Sequence, residues 1–234
     1  MAMKVWSRFS AIAKDGTKYK FRIQDMPERL KEIVGGLYLE YFVKQEATFK
    51  AAGVPNSKES LAEVIEFMSV VTEDDSFHIT VCCLDNDDDD EHTEVVGASM
   101  MALIKKGEPE PELSFQSPQL KKLIEVFNGL NDYFDEAKEF GLDRYYADRG
   151  LFVCSKYRGL GIAQEFLKTR RLICKEHGIP VNGAWMTSYG TQKAAERDGW
   201  ETVCEFQYEE FGKKYGVTFD KDPPSSKFMI ARIN

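Results

Sequence analysis

Residues 151–178 constrain this chain more than any other stretch: Leu151-Phe-Val-Cys-Ser-Lys-Tyr-Arg-Gly-Leu-Gly-Ile-Ala-Gln-Glu-Phe-Leu-Lys-Thr-Arg-Arg-Leu-Ile-Cys-Lys-Glu-His-Gly178. A short apolar run predicts a strand, a basic turn with two glycines follows, and an amphipathic helix comes next. Ile162, Ala163, Phe166, Leu167, Ile173, Cys174 and His177 fall on one helical face, and Gly178 with Pro180 ends it. Arg158, Gly159 and Gly161 therefore sit where the first free amides of the helix point outward. Small side chains there let an anion reach the backbone, and the helix dipole and Arg158 favour negative charge. The pattern predicts a phosphate cradle of neither common nucleotide type. It lacks the Lys-Ser/Thr ending of a Walker loop, and its glycines stand too close for the dinucleotide motif.

The rest of the composition narrows the partners. With 234 residues, 43% of them hydrophobic, one globular domain spanning 1–234 is expected. The N-terminal residues lack the apolar core of a signal peptide, and no run of about 20 apolar residues suits a membrane. A net charge of −8 argues against nucleic-acid binding. An acidic chain that binds an anion must gather its basic groups, and Lys156, Arg158, Lys168, Arg170, Arg171 and Lys175 cluster at and after the glycine turn. The last four read better as a solvated helix face. Five irregularly spaced cysteines suit free thiols in a reducing cytoplasm.

Along the chain, residues 1–18 read as an irregular extension and Lys18 to Gln24 as a first strand. Asp25-Met-Pro-Glu28 starts a helix with Leu30, Ile33, Val34, Leu37, Tyr38 and Tyr41 at helical spacing, running out near Phe42 to Glu46. Asn56 or Ser57 caps a second helix with the stripe Leu61, Val64, Ile65, Met68 and Val71. Strands are expected at Phe77–Leu84 and Glu94–Ile104, joined by the acidic loop 85–92. That loop lacks the glycine and glutamate of a calcium-binding EF-hand, at Asp90 and Val96, and reads as a solvated hairpin tip. After a proline-rich acidic connector, one long helix from Leu120 to Ala137 closes at Gly141. A strand from Tyr145 to Val153 feeds the glycine turn. Val181 to Ser188 reads as a strand, Thr191 to Arg197 as a helix, Thr202 to Phe211 as an alternating strand, and Phe228 to Ile233 as the last one.

The string Leu-Phe-Val-x-x-x-Tyr-Arg-Gly-Leu-Gly-Ile-Ala resembles the acetyl-CoA signature of the GNAT acetyltransferases, with Arg158-Gly159-Leu160-Gly161-Ile162-Ala163 as its core. The element order is similar over nearly the whole chain. The resemblance implies an α/β (α+β) fold with a central, mixed but mostly antiparallel twisted sheet flanked by helices. It narrows toward the insect arylalkylamine N-acetyltransferases through Phe42-Val-Lys-Gln-Glu-Ala, the long helix before the glycine strand, and Thr187-Ser-Tyr-Gly-Thr191. It implies acetyl-CoA as cosubstrate, no metal, a small-molecule amine acceptor and a monomer. Leu151, Phe152 and Val153 would pair with the pantetheine arm, and the amides from Gly159, Leu160, Gly161, Ile162 and Ala163 through Gln164 would hold the pyrophosphate.

Acetyl transfer to an amine requires that the ammonium lose a proton, that the oxyanion meet donors, and that the leaving thiolate gain a proton. His78, His92 and His177 occupy a strand start, the acidic loop and a helix end, which leaves histidine a poor base. The resemblance implies Glu46 as general base, and Thr187 and Thr191 at positions where the insect enzymes commonly carry two catalytic serines. A carboxylate of ordinary pKa, about 4.3, is a feeble base for an ammonium, so partial burial or an intervening water is expected to assist. The tyrosine that protonates the thiolate in many GNAT enzymes is replaced by Ala195, with Tyr189 as a substitute. Cys154 lacks a nearby histidine for an acyl-enzyme route. The alternatives are acetylation of polyamines or other aliphatic amines, and an acetyl-CoA-binding paralogue with weak turnover.

Overall fold

The computed structural model describes residues 4–85, 94–108 and 114–233. Strands β1 (Val5–Ile12) and β2 (Lys18–Asp25) precede α1 (Lys31–Tyr38), which runs through a π-helical turn, Leu39–Val43, toward α2 (Ala47–Ala51) and α3 (Lys58–Val71). Then come β3 (Phe77–Leu84), β4 (Val95–Lys105), α4 (Pro118–Asn131), α5 (Glu136–Phe140) and β5 (Arg144–Val153). The chain finishes with α6 (Ile162–Glu176), β6 (Val181–Met186), α7 (Tyr189–Arg197), β7 (Glu201–Gln207), α8 (Tyr208–Tyr215) and β8 (Ser225–Arg232). Most of the acidic loop and part of the acidic connector lie outside the described residues.

Five strands form one sheet in the order β1-β2-β3-β4-β5, each antiparallel to its neighbour, and three form a second in the order β6-β8-β7. The main core packs α1, α3, α4 and the first turns of α6 on the larger sheet, around Phe21, Val34, Val81, Leu123, Phe152 and Phe166. Leu167, one residue along α6, belongs instead to the core of the smaller sheet with Ala184, Ala195 and Met229. Helix α6 thus holds the two sheets together, as the width of its apolar face allows.

Three expected elements are corrected. Within the stretch 1–18 expected to be irregular, Val5–Ile12 is a strand that pairs with β2. A register shift between Val5 and Ser7 puts Trp6 out of phase with Phe9 and Ala11, so the period of two is broken in the sequence. The long helix after the connector is two helices: α4 stops at Asn131, and Asp135 caps α5 by accepting the Lys138 amide. Between them Phe134 stacks on Phe228, 4.2 Å away, on the small sheet. The alternation expected to Phe211 ends at Gln207, where α8 begins; the Tyr208 amide bonds to the Pro224 carbonyl at 2.9 Å and closes the excursion at its base.

Candidate active site

No hydrogen-bond ladder joins β5 to β6. Both strands run the same way, linked by α6, and near their starts the Asn182 amide nitrogen reaches the Tyr146 carbonyl at 3.3 Å. Toward their ends the edge of β5 is left unpaired. The Cys154 amide donates to Val96 at 2.8 Å, so by strand alternation the peptide groups of Phe152 face β4 while those of Leu151 and Val153 face the open edge. This leaves the Leu151 peptide groups and the Val153 amide at the edge beside the glycine turn, while the Val153 carbonyl accepts Arg158.

The turn delivers the head of α6 to that edge. Gly159 and Gly161 adopt φ of 80° and 82°, the left-handed region that glycine enters without penalty. Gly161 is the N-cap and offers no side chain to the first amides. Among the described residues no acceptor meets the amides of Gly159 through Gln164; the first bond into the helix is Glu165 to the Gly161 carbonyl. Unpaired amides at a dipole's positive end form an anion site by default. Arg158 lies across the gap: its Nε donates to the Val153 carbonyl at 3.0 Å and its Nη2 to Gln45 Oε1 at 2.7 Å. Lys156 turns away, bonded to the Tyr157 hydroxyl. Of the residues read as a solvated helix face, Arg170 is buried, with 2% of its surface exposed. Lys168 pairs with Glu165, and Arg171 reaches Asp198.

Gln45 introduces the second half of the site. Glu46 is the N-cap of α2, and its Oε2 accepts the Thr48 amide at 2.7 Å, the Phe49 amide at 3.0 Å and the Thr48 hydroxyl. These bonds orient the half-buried carboxylate and leave Oε1 without a donor among the described residues. Two buried tyrosines border it. Burial first, then the charges of Glu46 and Asp148, push the Tyr38 phenol up. Burial and Glu46 do the same to Tyr208. The Tyr208 hydroxyl donates to the Thr187 carbonyl at 2.7 Å, which ties the end of β6 to the surroundings of Glu46. Phe42 and Phe49 pack edge to face at 5.6 Å, and Phe49 packs likewise on Phe127.

The other candidate residues take different places. Thr191 completes a capping box with Ser188: each side chain accepts the other's amide, and the two hydroxyls lie 3.0 Å apart. Thr187 is half-buried at the end of β6. Ala195 is fully buried in α7, and Tyr189 is exposed at its first turn. Burial raises the Cys154 thiol to about 11, which keeps it protonated and unreactive at neutral pH. His78 bonds Asp25 and His177 bonds the Tyr146 hydroxyl, away from the glycine turn, while His92 lies outside the described residues. Sequence reasoning missed Gln45, Asp148 and Tyr208. Tyr208 continued an alternating pattern that read as packing, and nothing local marked the other two.

No protein-family model matches the chain. Among solved structures it is similar to a protein of the yellow fever mosquito Aedes aegypti assigned as arylalkylamine N-acetyltransferase 7, at 22% identity over 100% of this chain and 97% of that one, with a TM-score of 0.84. It is also similar to arylalkylamine N-acetyltransferase 2 of Aedes aegypti (20% identity, 92% of this chain and 99% of that one, TM-score 0.70). A Drosophila melanogaster polyamine N-acetyltransferase that forms N-acetylagmatine matches at 13% identity over 91% of this chain and 100% of that one, with a TM-score of 0.67. At these identities the shared property is architecture: the chain has the GNAT acetyltransferase fold, in the form found in insect arylalkylamine N-acetyltransferases.

Proposed function

We propose that this protein is an acetyl-CoA-dependent N-acetyltransferase acting on primary arylalkylamines of the dopamine, serotonin, tryptamine and octopamine class, with Glu46 as general base. The observation that carries the reading is the run of unpaired amides from Gly159 to Gln164 beside the open edge of β5. Those amides fit a pyrophosphate, and the peptide groups of Leu151 with the Val153 amide fit the amide-bearing pantetheine arm as an added strand would. When bound, the cosubstrate supplies the acetyl group as a thioester. The protein's part is to orient, to donate and to accept. The Val153 amide is a donor for a carbonyl oxygen at the strand end. Glu46 Oε1 accepts the ammonium proton, directly or through one water, while the bonds to Oε2 hold the carboxylate still. Tyr208 keeps its proton, because burial raises its pKa, and spends it on the Thr187 carbonyl. The aromatic rings of Tyr38, Phe42 and Phe49 near Glu46 favour an aryl-bearing acceptor.

A second reading, acetylation of aliphatic diamines or polyamines, rests on Asp148. Its charge reaches Tyr38 as that of Glu46 does. While Oδ1 is held by Arg170 and the Gly150 amide, Oδ2 has no donor among the described residues and suits a second ammonium. One experiment separates the readings: release of free thiol from acetyl-CoA with dopamine, serotonin and tryptamine against agmatine, putrescine and spermidine. The first reading expects the highest kcat/KM with an aryl amine. A polyamine preference supports the second, and no release with any amine, despite acetyl-CoA binding, leaves a binding module and removes both.

A further inference from the structure

We infer that Arg170 is a positioning residue of the acetyl transfer: it holds a bulge in β5 and, through it, the loop that carries Glu46. The inference rests on the acetyltransferase reading above. Arg170 projects from α6 into the core and is 2% exposed. Its Nε donates to Ser99 Oγ at 2.8 Å, and its Nη2 lies 3.0 Å from the Gly150 carbonyl, 3.3 Å from the Met100 carbonyl and 2.7 Å from Asp148 Oδ1. These partners surround one irregularity. Ser99 of β4 faces Leu151 and Met101 faces Asp148, so Arg149 and Gly150 stand opposite Met100 alone. A bulge strands ladder groups and re-aims the chain beyond it. Here the guanidinium donates to the carbonyls of Gly150 and Met100, one on each side of the irregularity. Asp148 Oδ1 also accepts the Gly150 amide at 3.0 Å, which closes the ring of contacts.

The bulge then reaches the acceptor side. Gly150 has φ of 116°, and a Cβ there would stand 2.8 Å from the ring of Phe42. Phe42 in turn supplies the carbonyl that accepts the amides of Gln45 at 2.9 Å and Glu46 at 2.7 Å. A continuous path thus runs from α6, whose head is the cradle, through Arg170, the bulge and Phe42 to Glu46. Packing alone does not call for this residue. An apolar pair in place of Arg170 and Asp148 would fill the same space, and replacing both members of a buried ion pair is often neutral for stability. Removing Arg170 alone instead leaves Asp148 and two carbonyls without their donor. A planar fork that meets a hydroxyl, two carbonyls and a carboxylate does what an ammonium cannot, and that points to geometry as its role.

The test compares Arg170→Met, Arg170→Lys and Phe42→Ala with the wild type, using acetyl-CoA and the best amine of the panel. Arg170→Met is expected to leave the acetyl-CoA KM within about threefold and to lower kcat about 100-fold, the scale of an ångström misplacement. Arg170→Lys should fall between that variant and the wild type. Phe42→Ala should reproduce the kcat loss with the buried charge untouched. Amide exchange without any substrate should rise at residues 42–46 in Arg170→Met and stay unchanged in β7. Wild-type kcat in folded Arg170→Met, or unaltered exchange at 42–46, would overturn the inference. If Arg170→Met does not fold, wild-type kcat in Phe42→Ala overturns it. If the wild type acetylates no amine, the acetyltransferase reading fails by itself, and the exchange comparison still decides whether Arg170 holds the loop.

Discussion

The two ends of α6 obey the same electrostatics and are finished in opposite ways. At its head the amides from Gly159 to Gln164 meet no acceptor among the described residues, and the cap is a glycine without a side chain. At its tail the carbonyls of Ile173, Cys174 and Lys175 accept the amides of His177, Ile179 and Gly178, and Arg144 donates to the His177 carbonyl at 2.8 Å. The negative end of the dipole is closed by backbone and met by a cation, as stability favours, whereas the positive end is kept open. Around the tail, His177 bonds Tyr146, and His78 and Trp6 bond Asp25, in a polar cluster that satisfies itself. Unsatisfied donors at the head are what the proposed anion site rests on; satisfied ones at the tail hold the fold.

The largest way to break this contrast is at the head. Gly161→Asp places a negative side chain over the open amides, so acetyl-CoA affinity by calorimetry should fall at least about 100-fold. Aspartate tolerates the left-handed φ of Gly161 better than most residues but not without strain, so the affinity is compared on protein shown to be folded by circular dichroism. Unchanged affinity would mean that the head is not the cradle. Next comes Glu46→Gln. Its amide oxygen can still cap α2, so the loop should stay in place while kcat drops on the order of 100-fold and acetyl-CoA affinity holds. A kcat within twofold of the wild type would remove Glu46 as base. Tyr208→Phe loses the bond to the Thr187 carbonyl, which should cost about 1 kcal/mol in denaturant unfolding and lower kcat a few-fold.

The smallest effect is expected at the tail. Burial first, and then the nearby His78, hold His177 below the usual histidine value. A depressed pKa stabilises the folded state above the unfolded value, near 6.5, and that contribution is lost as the pH falls through it. His177→Gln should therefore flatten the decline in stability between about pH 7 and pH 5 while leaving kcat alone. A loss of kcat there would erase the distinction between the two ends.

The elements that the sequence declared were those whose pattern is local. The cradle strand, glycine turn and α6 lie where periodicity and helix-stop residues put them, and Ser57 caps α3 as expected, accepting the Ser60 amide. The failures have local causes too. A bulge disguised β1, a two-helix break hid within one apolar stripe, and α8 began on the last beat of a strand pattern. Thr187 and Thr191 stood out together, yet the structure uses them differently: Thr191 completes the Ser188 capping box of α7, while Thr187 accepts Tyr208 at its carbonyl.

By itself, the sequence determined the strand, glycine turn and helix head on which the proposed donor site rests. An anion site made of consecutive backbone amides needs only a strand, two glycines and a helix start, all within one contiguous segment. Tertiary structure alone decided the surroundings of Glu46, where the acceptor is proposed to bind. The bond from Arg170 to Ser99 spans 71 positions, that from Arg158 to Gln45 spans 113, and that from Tyr208 to Thr187 links an excursion to a strand end 21 residues earlier. Residues so far apart meet because two sheets close on one helix. No local spacing records that a buried arginine, an aspartate beside a bulge and a capping glutamate will share one neighbourhood.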